Sequence, residues 1–226
     1  MPFYEEVATR VDLIVPEHPG FGDTVMPEWL EDFDDVALHY DDLVDALGLE
    51  TFHLVGHSLG GWMAAHYAVL FSARLRSLQL IAPAGLRRSA LTDPFRQSGE
   101  EALDRTFNGA ADHYPEYLEE DDPLEQKIHD YIELTTRARL QWNPRYDVRL
   151  DRRLARVKTP TQVIIPDEDR ILDASVVARY AELIPGARLT RIEGTDRPTS
   201  HVPFVQEPKL LADMVANFVT ENSEDR

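Results

Sequence analysis

Val55-Gly56-His57-Ser58-Leu59-Gly60-Gly61 decides how this chain is read. The stretch before it, Thr51-Phe52-His53-Leu54-Val55, is short and apolar and predicts a buried strand. The stretch after it, Trp62 to Phe71, is rich in alanine and large apolar side chains and predicts a buried helix. Between them lies Gly-x-Ser-x-Gly, a strand-turn-helix with serine at its apex. The spacing has a steric reason: side chains two residues either side of Ser58 would collide with the neighbouring backbone, and Gly56 and Gly60 have none. Ser58 is then expected in a strained conformation, with its hydroxyl above the sheet. The Leu59 N–H would sit at the helix N-terminus, aimed at an oxyanion. A glycine-rich turn that only packs shares the five-residue pattern, but the strand before and the helix after favour the catalytic reading.

Composition narrows the function classes. A chain of 226 residues buries a substantial core and is most simply one domain with an insertion. It has no cysteine, which excludes disulfides, zinc–thiolate sites and thiol catalysis. No run is long enough for a membrane-spanning helix. The start, Met1-Pro2-Phe3-Tyr4-Glu5-Glu6, is acidic where a secretory signal is basic, so the expected compartment is the cytoplasm. The formal charge of −18 disfavours nucleic acid and anionic membranes as partners. Only Lys127, Lys158 and Lys209 are lysines; an acidic, lysine-poor surface fits either a high-salt cytoplasm or a solubility device.

Along the chain, residues 3–9 read as the last turns of a helix. Arg10 to Val15 then reads as a strand ended by Pro16, and His18-Pro19-Gly20-Phe21-Gly22-Asp23 as a tight loop. Phe33, Val36, Leu38, Tyr40, Leu43, Val44 and Leu47 recur at near-helical spacing, with Gly48 as the stop. Leu75 to Ile81 makes another strand, broken by Pro83-Ala84-Gly85. From residue 87 to 150 the pattern is helical, punctuated by Pro94, Pro115, Pro123 and Pro144 and by the acidic run Glu119-Glu120-Asp121-Asp122. This segment predicts a helical cap inserted into a core of residues 1–86 and 151–226. Phe95, Phe107, Tyr114 and Trp142 are its candidate substrate-facing aromatics, core packing being the favoured reading of each. Alternation resumes with a strand at 161–165, a loop at 167–170, a helix at 174–184, a strand at 187–192, a polar loop at 194–200, His201, a helix at 207–219 and a frayed tail from Glu221. Strands alternating with helices predict an α/β fold with a mainly parallel sheet and helices on both faces.

A serine hydroxyl needs a base to take its proton, and that base needs a carboxylate on its other ring nitrogen. In parallel sheets such groups sit on loops beyond strand C-terminal ends. Asp169 follows the 161–165 strand and His201 the 187–192 strand, giving the order Ser58, Asp169, His201. Asp167, Glu168, Asp173 and Asp93 are rival acids. His57 flanks the serine and is expected to line the pocket. His18, His39, His53, His66, His113 and His129 lack a position after a late strand, and no pair has a metal-ligand setting, so neither metal nor cofactor is expected.

These residues, with Pro19-Gly20-Phe21-Gly22, Asp167-Glu168-Asp169-Arg170-Ile171, Leu183-Ile184-Pro185-Gly186-Ala187, His201-Val202-Pro203 and Glu207-Pro208, resemble the successive blocks of the α/β-hydrolase family from about Pro2 to Val219. The resemblance implies Ser58 as nucleophile, Asp169 as acid, which it favours over the rivals, His201 as base and the Leu59 N–H as oxyanion donor. His57 and Trp142 are the candidate substrate-binding side chains. A serine nucleophile is similar to the esterase and carbon–carbon-bond hydrolase branches; haloalkane dehalogenase and epoxide hydrolase relatives carry aspartate there. The expected activity is hydrolysis of an ester or related acyl or carbon–carbon bond in a small, partly apolar molecule. The alternative is an impaired remnant or a binding protein on the same fold. The family's earlier strands and the His-Gly loop that supplies a second oxyanion donor have no counterpart before Ser58. The resemblance therefore implies an N-terminally incomplete sequence, with a central strand missing between residues 10–15 and 51–55. Ser200 stands where the family often has glycine.

Overall fold

The computed structural model of the protein describes residues 1–87, 93, 95–117, 123–142 and 146–223. Pro94, Pro144, the acidic run at 119–122 and the end of the tail lie outside the described residues. In chain order the elements are α1 (Pro2–Ala8), α2 (Phe33–Ala46), β1 (Phe52–His57), α3 (Ser58–Phe71), β2 (Leu75–Ile81), α4 (Gly99–Thr106), α5 (Pro123–Gln141), α6 (Leu150–Arg153), β3 (Thr161–Pro166), α7 (Ala174–Leu183), β4 (Arg188–Ile192), α8 (Pro203–Gln206) and α9 (Pro208–Glu221). The four strands form one parallel sheet in the order β1-β2-β3-β4. Helices α2, α3 and α7 contribute to one apolar cluster, with Leu78, Leu80, Val163 and Ile165 from the sheet. Helices α1 and α9 contribute Phe3, Val7, Leu211, Ala212 and Val215 to a second, with Ile81, Ile164 and Ile192 from the sheet. Alternate strand residues serve the two clusters, as the two-residue period of a strand requires.

Local sequence explains the helix ends. Asp32 caps α2 by accepting from the N–H groups of Asp34 and Asp35, and Asp35 answers with a bond to the Asp32 N–H. Gly48 follows its C-terminus at φ 69°. The buried face of α3 carries Trp62, Met63, Ala64, Ala65, Tyr67 and Ala68, and Trp62 stacks on Phe33 with ring centroids 4.0 Å apart.

Two sequence expectations change. Residues 10–15 form no strand: this stretch pairs with no described strand, and Ile14 and Val15 are about half exposed. Val11 and Leu13 still turn inward onto the α1–α9 cluster, so the alternation seen in the sequence is present without the ladder that would make it a strand. Second, β1 is an edge strand rather than a fully buried one. Its only neighbour among the described residues is β2, and Val55 is 37 % exposed. Among the described residues no helix is long and apolar enough to cross a membrane.

Between β2 and β3 the chain makes its long excursion through α4, two single turns at Ala111–His113 and Pro115–Tyr117, and α5. It leaves and returns at adjacent points: the Asp147 N–H donates to the Gly85 carbonyl at 2.8 Å. Phe107, Tyr114 and Tyr117 of the excursion pack on Val202, Phe204 and Val205, immediately after His201.

Candidate active site

Ser58 sits between β1 and α3 at φ 51°, in the left-handed region that a side chain makes unfavourable. Such a conformation costs on the order of 1–3 kcal/mol and persists only where the surroundings enforce it. Gly56 shows the enforcement: a Cβ there would lie 2.4 Å from the Gly60 carbonyl oxygen and 2.8 Å from Ala64 Cβ. Gly60 differs from the expectation. A Cβ on it would meet only the His18 ring, at 3.4 Å, which is ordinary contact. The close approach on the helix side falls instead on Gly61, 2.9 Å from Pro83 Cβ. The Ala84 N–H donates to the Ser58 carbonyl at 3.0 Å and closes the turn from the β2 side. The Leu59 N–H lies in the first turn of α3, where a helix supplies no acceptor of its own.

The structure brings three of the predicted side chains into one relay. His201 Nε2 lies 2.8 Å from Ser58 Oγ, and His201 Nδ1 lies 2.7 Å from Asp169 Oδ2. Both residues of the His201–Asp169 contact are buried, with 8 % and 2 % of their side-chain surfaces exposed. An ionised carboxylate only accepts, so Nδ1 carries the ring proton and Nε2 is left with a lone pair toward the hydroxyl. Burial pushes the Asp169 carboxyl up. The hydrogen bond and charge of His201 and the N–H groups of Leu172 and Ile171, each 2.8 Å from Oδ1, outweigh it and hold the group below its usual value.

The rival acids have other partners. Asp167 accepts from the Gly194 N–H at 3.0 Å and so fastens the end of β4. Glu168 is exposed. Asp173 caps α7 through the Ser175 N–H at 2.7 Å. Asp93 accepts from the Phe95 N–H at 3.1 Å.

The loop that carries His201 is held by polar contacts that sequence reasoning missed. Thr199 is fully buried; its carbonyl accepts from the Glu168 N–H and its hydroxyl from the Asp167 N–H, both at 2.9 Å. The loops that carry Asp169 and His201 are thereby joined. Ser200, also fully buried, donates its N–H and hydroxyl to Gln206 Oε1 on α8, at 2.5 and 2.9 Å. A serine at this position is therefore compatible with His201 reaching Ser58. The available signal was the polar run Thr195 to Ser200 leading into a histidine.

His57 lies against His201. Its Nε2 is 2.7 Å from the His201 carbonyl, and the two rings are 4.9 Å apart. A carbonyl only accepts, so His57 Nε2 carries a proton. Burial, then the neighbouring His201, push His57 down to about 3, which keeps the ring neutral near pH 7. His57 thus holds the backbone of His201. Trp142 is 59 % exposed, with its ring edge-on to Phe95 at 5.2 Å, and Phe107 and Tyr114 belong to the packing on Val202 and Val205.

Another histidine anchors the serine's helix. His66 on α3 is 1 % exposed, with Nδ1 3.0 Å from Asp34 on α2 and Nε2 2.7 Å from Asp147, the latter outside hydrogen-bond alignment. Burial pushes Asp147 up, but the contact with His66 and the Arg149 N–H bring it down to about 2. Among the described residues no group of three histidine or carboxylate side chains is arranged to hold a metal ion.

A sequence profile described as the Alpha/beta hydrolase family matches residues 1–214. An epoxide hydrolase, EphH of Mycobacterium tuberculosis, is 26 % identical over 212 residues, covering 82 % of this chain and 94 % of the relative. Mouse monoacylglycerol lipase ABHD6 is 24 % identical over 194 residues, covering 76 % of this chain; the chain spans 56 % of that relative's length. Among solved structures, a thermophilic esterase from Thermogutta terrifontis superimposes with a TM-score of 0.75 at 23 % identity, covering 98 % of this chain and 84 % of that one.

Proposed function

Because the chain belongs to the alpha/beta hydrolase family, we propose that it is a serine hydrolase cleaving an ester, or a related acyl or carbon–carbon bond, in a small and partly apolar molecule. The observation that carries this reading is the relay Asp169–His201–Ser58 at 2.7 and 2.8 Å, with the serine at φ 51°. His201 Nε2 takes the Ser58 proton as Oγ attacks the substrate carbonyl carbon. The Leu59 N–H, at the positive end of α3, stabilises the oxyanion. The tetrahedral intermediate collapses, His201 protonates the leaving group, and an acyl-serine remains. Water, deprotonated by His201, then attacks that acyl group and releases the acid and Ser58. Asp169 keeps the ring in the tautomer this cycle requires, and His57 holds its backbone.

Serine also favours an acyl substrate over an epoxide. Attack of a hydroxyl on an epoxide carbon leaves an alkyl ether on the enzyme, and an ether has no carbonyl for water to attack. A carboxylate nucleophile would leave an ester, which does. The residue at the apex here is Ser58, so turnover points to carbonyl substrates even though one relative is named an epoxide hydrolase.

The test is hydrolysis of a short-chain p-nitrophenyl ester, with fluorophosphonate labelling, by the wild-type chain and Ser58→Ala. Labelling and turnover that vanish in Ser58→Ala are expected. A folded wild-type chain that neither labels nor turns over would instead support a binding protein on this fold.

A further inference from the structure

The oxyanion formed at Ser58 has one assigned donor, the Leu59 N–H. Beside it stands a side chain that the cycle above leaves idle. His18, from the loop before α2, reaches the first turn of α3: its Nε2 lies 3.4 Å, and its Cε1 3.8 Å, from where a Cβ on Gly60 would be. A Cα–Cβ bond in a helix tilts toward the helix N-terminus. The point that His18 approaches therefore lies over the turn that opens at Ser58, where the Leu59 N–H has no helical acceptor. Gly60 keeps the approach open, having no side chain to fill it.

The ring is held from several sides. Nδ1 bonds the Tyr40 hydroxyl of α2, and the ring stands edge-on to Phe21 and Tyr40, with centroids 5.8 and 5.9 Å away. The backbone is held too. The His18 carbonyl accepts from the Phe21 N–H at 3.0 Å, and the Gly20 carbonyl from the Thr136 hydroxyl of α5 at 2.7 Å. Burial pushes His18 down and Tyr40 up, so both are neutral near pH 7. Among the described residues the Tyr40 proton has one acceptor, His18 Nδ1. Donation there leaves the ring proton on Nε2. Nε2 bonds no described residue and is not among their sealed, unbonded side-chain atoms. His18 is partly exposed, so this donor is open to a bound molecule.

We propose that His18 Nε2–H is a second donor to the oxyanion that forms when Ser58 attacks, acting with the Leu59 N–H; this rests on the serine-hydrolase reading. As Oγ bonds the carbonyl carbon, the π pair of the C=O moves onto its oxygen, and both N–H groups bond the charge without giving up a proton. When the intermediate collapses, the pair returns to the C–O bond and the leaving group departs with the proton held by His201. A donor fixed by Tyr40 and Phe21 before the reaction needs no reorganisation during it.

The first measurement is ring-nitrogen NMR of His18 in Ser58→Ala, alone and with butyrate, whose carboxylate oxygen can take the oxyanion's place. A proton on Nε2 is expected, with a resonance that moves downfield as butyrate binds. A proton on Nδ1, or an Nε2 resonance that butyrate leaves unmoved, would overturn the proposal. The second is steady-state hydrolysis of p-nitrophenyl butyrate by wild type, His18→Met and His18→Gln. His18→Met should lower kcat by about 10²–10³-fold with little change in KM. His18→Gln, whose amide can donate from nearly the same place, should lose much less. Equal losses in the two variants, or a loss confined to KM, would also overturn it. Failure of the hydrolase reading looks different: a folded wild-type chain that neither turns over the ester nor takes up fluorophosphonate at Ser58. In that event, or if His18→Met does not fold, the Ser58→Ala spectra decide by themselves whether His18 donates to a bound oxyanion.

Discussion

Gly56 and Gly60 occupy equivalent places in the pentapeptide, yet the structure predicts opposite outcomes when each is changed to alanine. At Gly56 the new methyl would sit 2.4 Å from a helix carbonyl and 2.8 Å from Ala64 Cβ, and neither neighbour turns away by changing a rotamer. Overpacking typically costs about 1–3 kcal/mol, and contacts with fixed backbone belong at the upper end. For a chain of this length about 3 kcal/mol lowers the melting temperature by roughly 6–12 °C. At Gly60 the methyl would meet only the His18 ring at 3.4 Å, inside a helix, where alanine is favoured over glycine by up to about 1 kcal/mol. Gly60→Ala should therefore leave the melting temperature unchanged or raise it by about 2–4 °C. Thermal unfolding followed by circular dichroism reads both variants directly. Equal losses at the two positions, or a larger loss at Gly60, would refute the conclusion that the turn is crowded at Gly56 and open at Gly60.

Three further outcomes are expected. Asp169→Asn should lower kcat by about 10⁴-fold with little change in fold, because the amide no longer fixes the His201 tautomer; steady-state ester hydrolysis and circular dichroism check both halves. His57→Ala removes the donor to the His201 carbonyl and should cost about 1–3 kcal/mol of stability, with a loss in kcat larger than any change in KM. The depressed Asp147 carboxyl stabilises the fold fully above its unfolded value near 4, and this contribution is lost as pH falls through about 2. Asp147→Asn should accordingly be less stable at pH 7 and show a shallower fall in denaturation midpoint between pH 4 and 2. An unchanged acid limb would show that His66 and Asp147 do not couple to folding.

The candidate site was legible because each of its groups lies on the segment after a strand, Ser58 directly after β1, Asp169 just beyond β3 and His201 at the end of the loop beyond β4. Ser58, Asp169 and His201 are announced by apolar runs ended by a turn, and those are local patterns. What the sequence misled about depends on contacts far apart in the chain. Val11 and Leu13 alternate with exposed neighbours as a strand would, but alternation says nothing about whether a partner strand lies alongside. Gly60 reads like Gly56 because a pentapeptide does not reveal which side of a turn the helix presses on. Thr199 and Gln206 look like loop polarity until Asp167, Glu168 and Ser200 are folded against them. His18 and Gly60 lie on separate segments, and only the fold brings them into contact.

The hydrogen bond from Asp147 to Gly85 has a consequence for how such a protein diversifies. It makes the departure and return of the excursion nearly coincident, so the core experiences that whole segment as a closed loop with two neighbouring ends. The entropy of closing a flexible loop grows only with the logarithm of its length, about 0.6 kcal/mol for each doubling. Rewriting or lengthening the excursion therefore alters what packs on Val202, Phe204 and Val205, just after His201, at little cost to the sheet beneath it. The surroundings of His201 and the stability of the sheet become nearly independent variables, open to change by insertion as readily as by substitution.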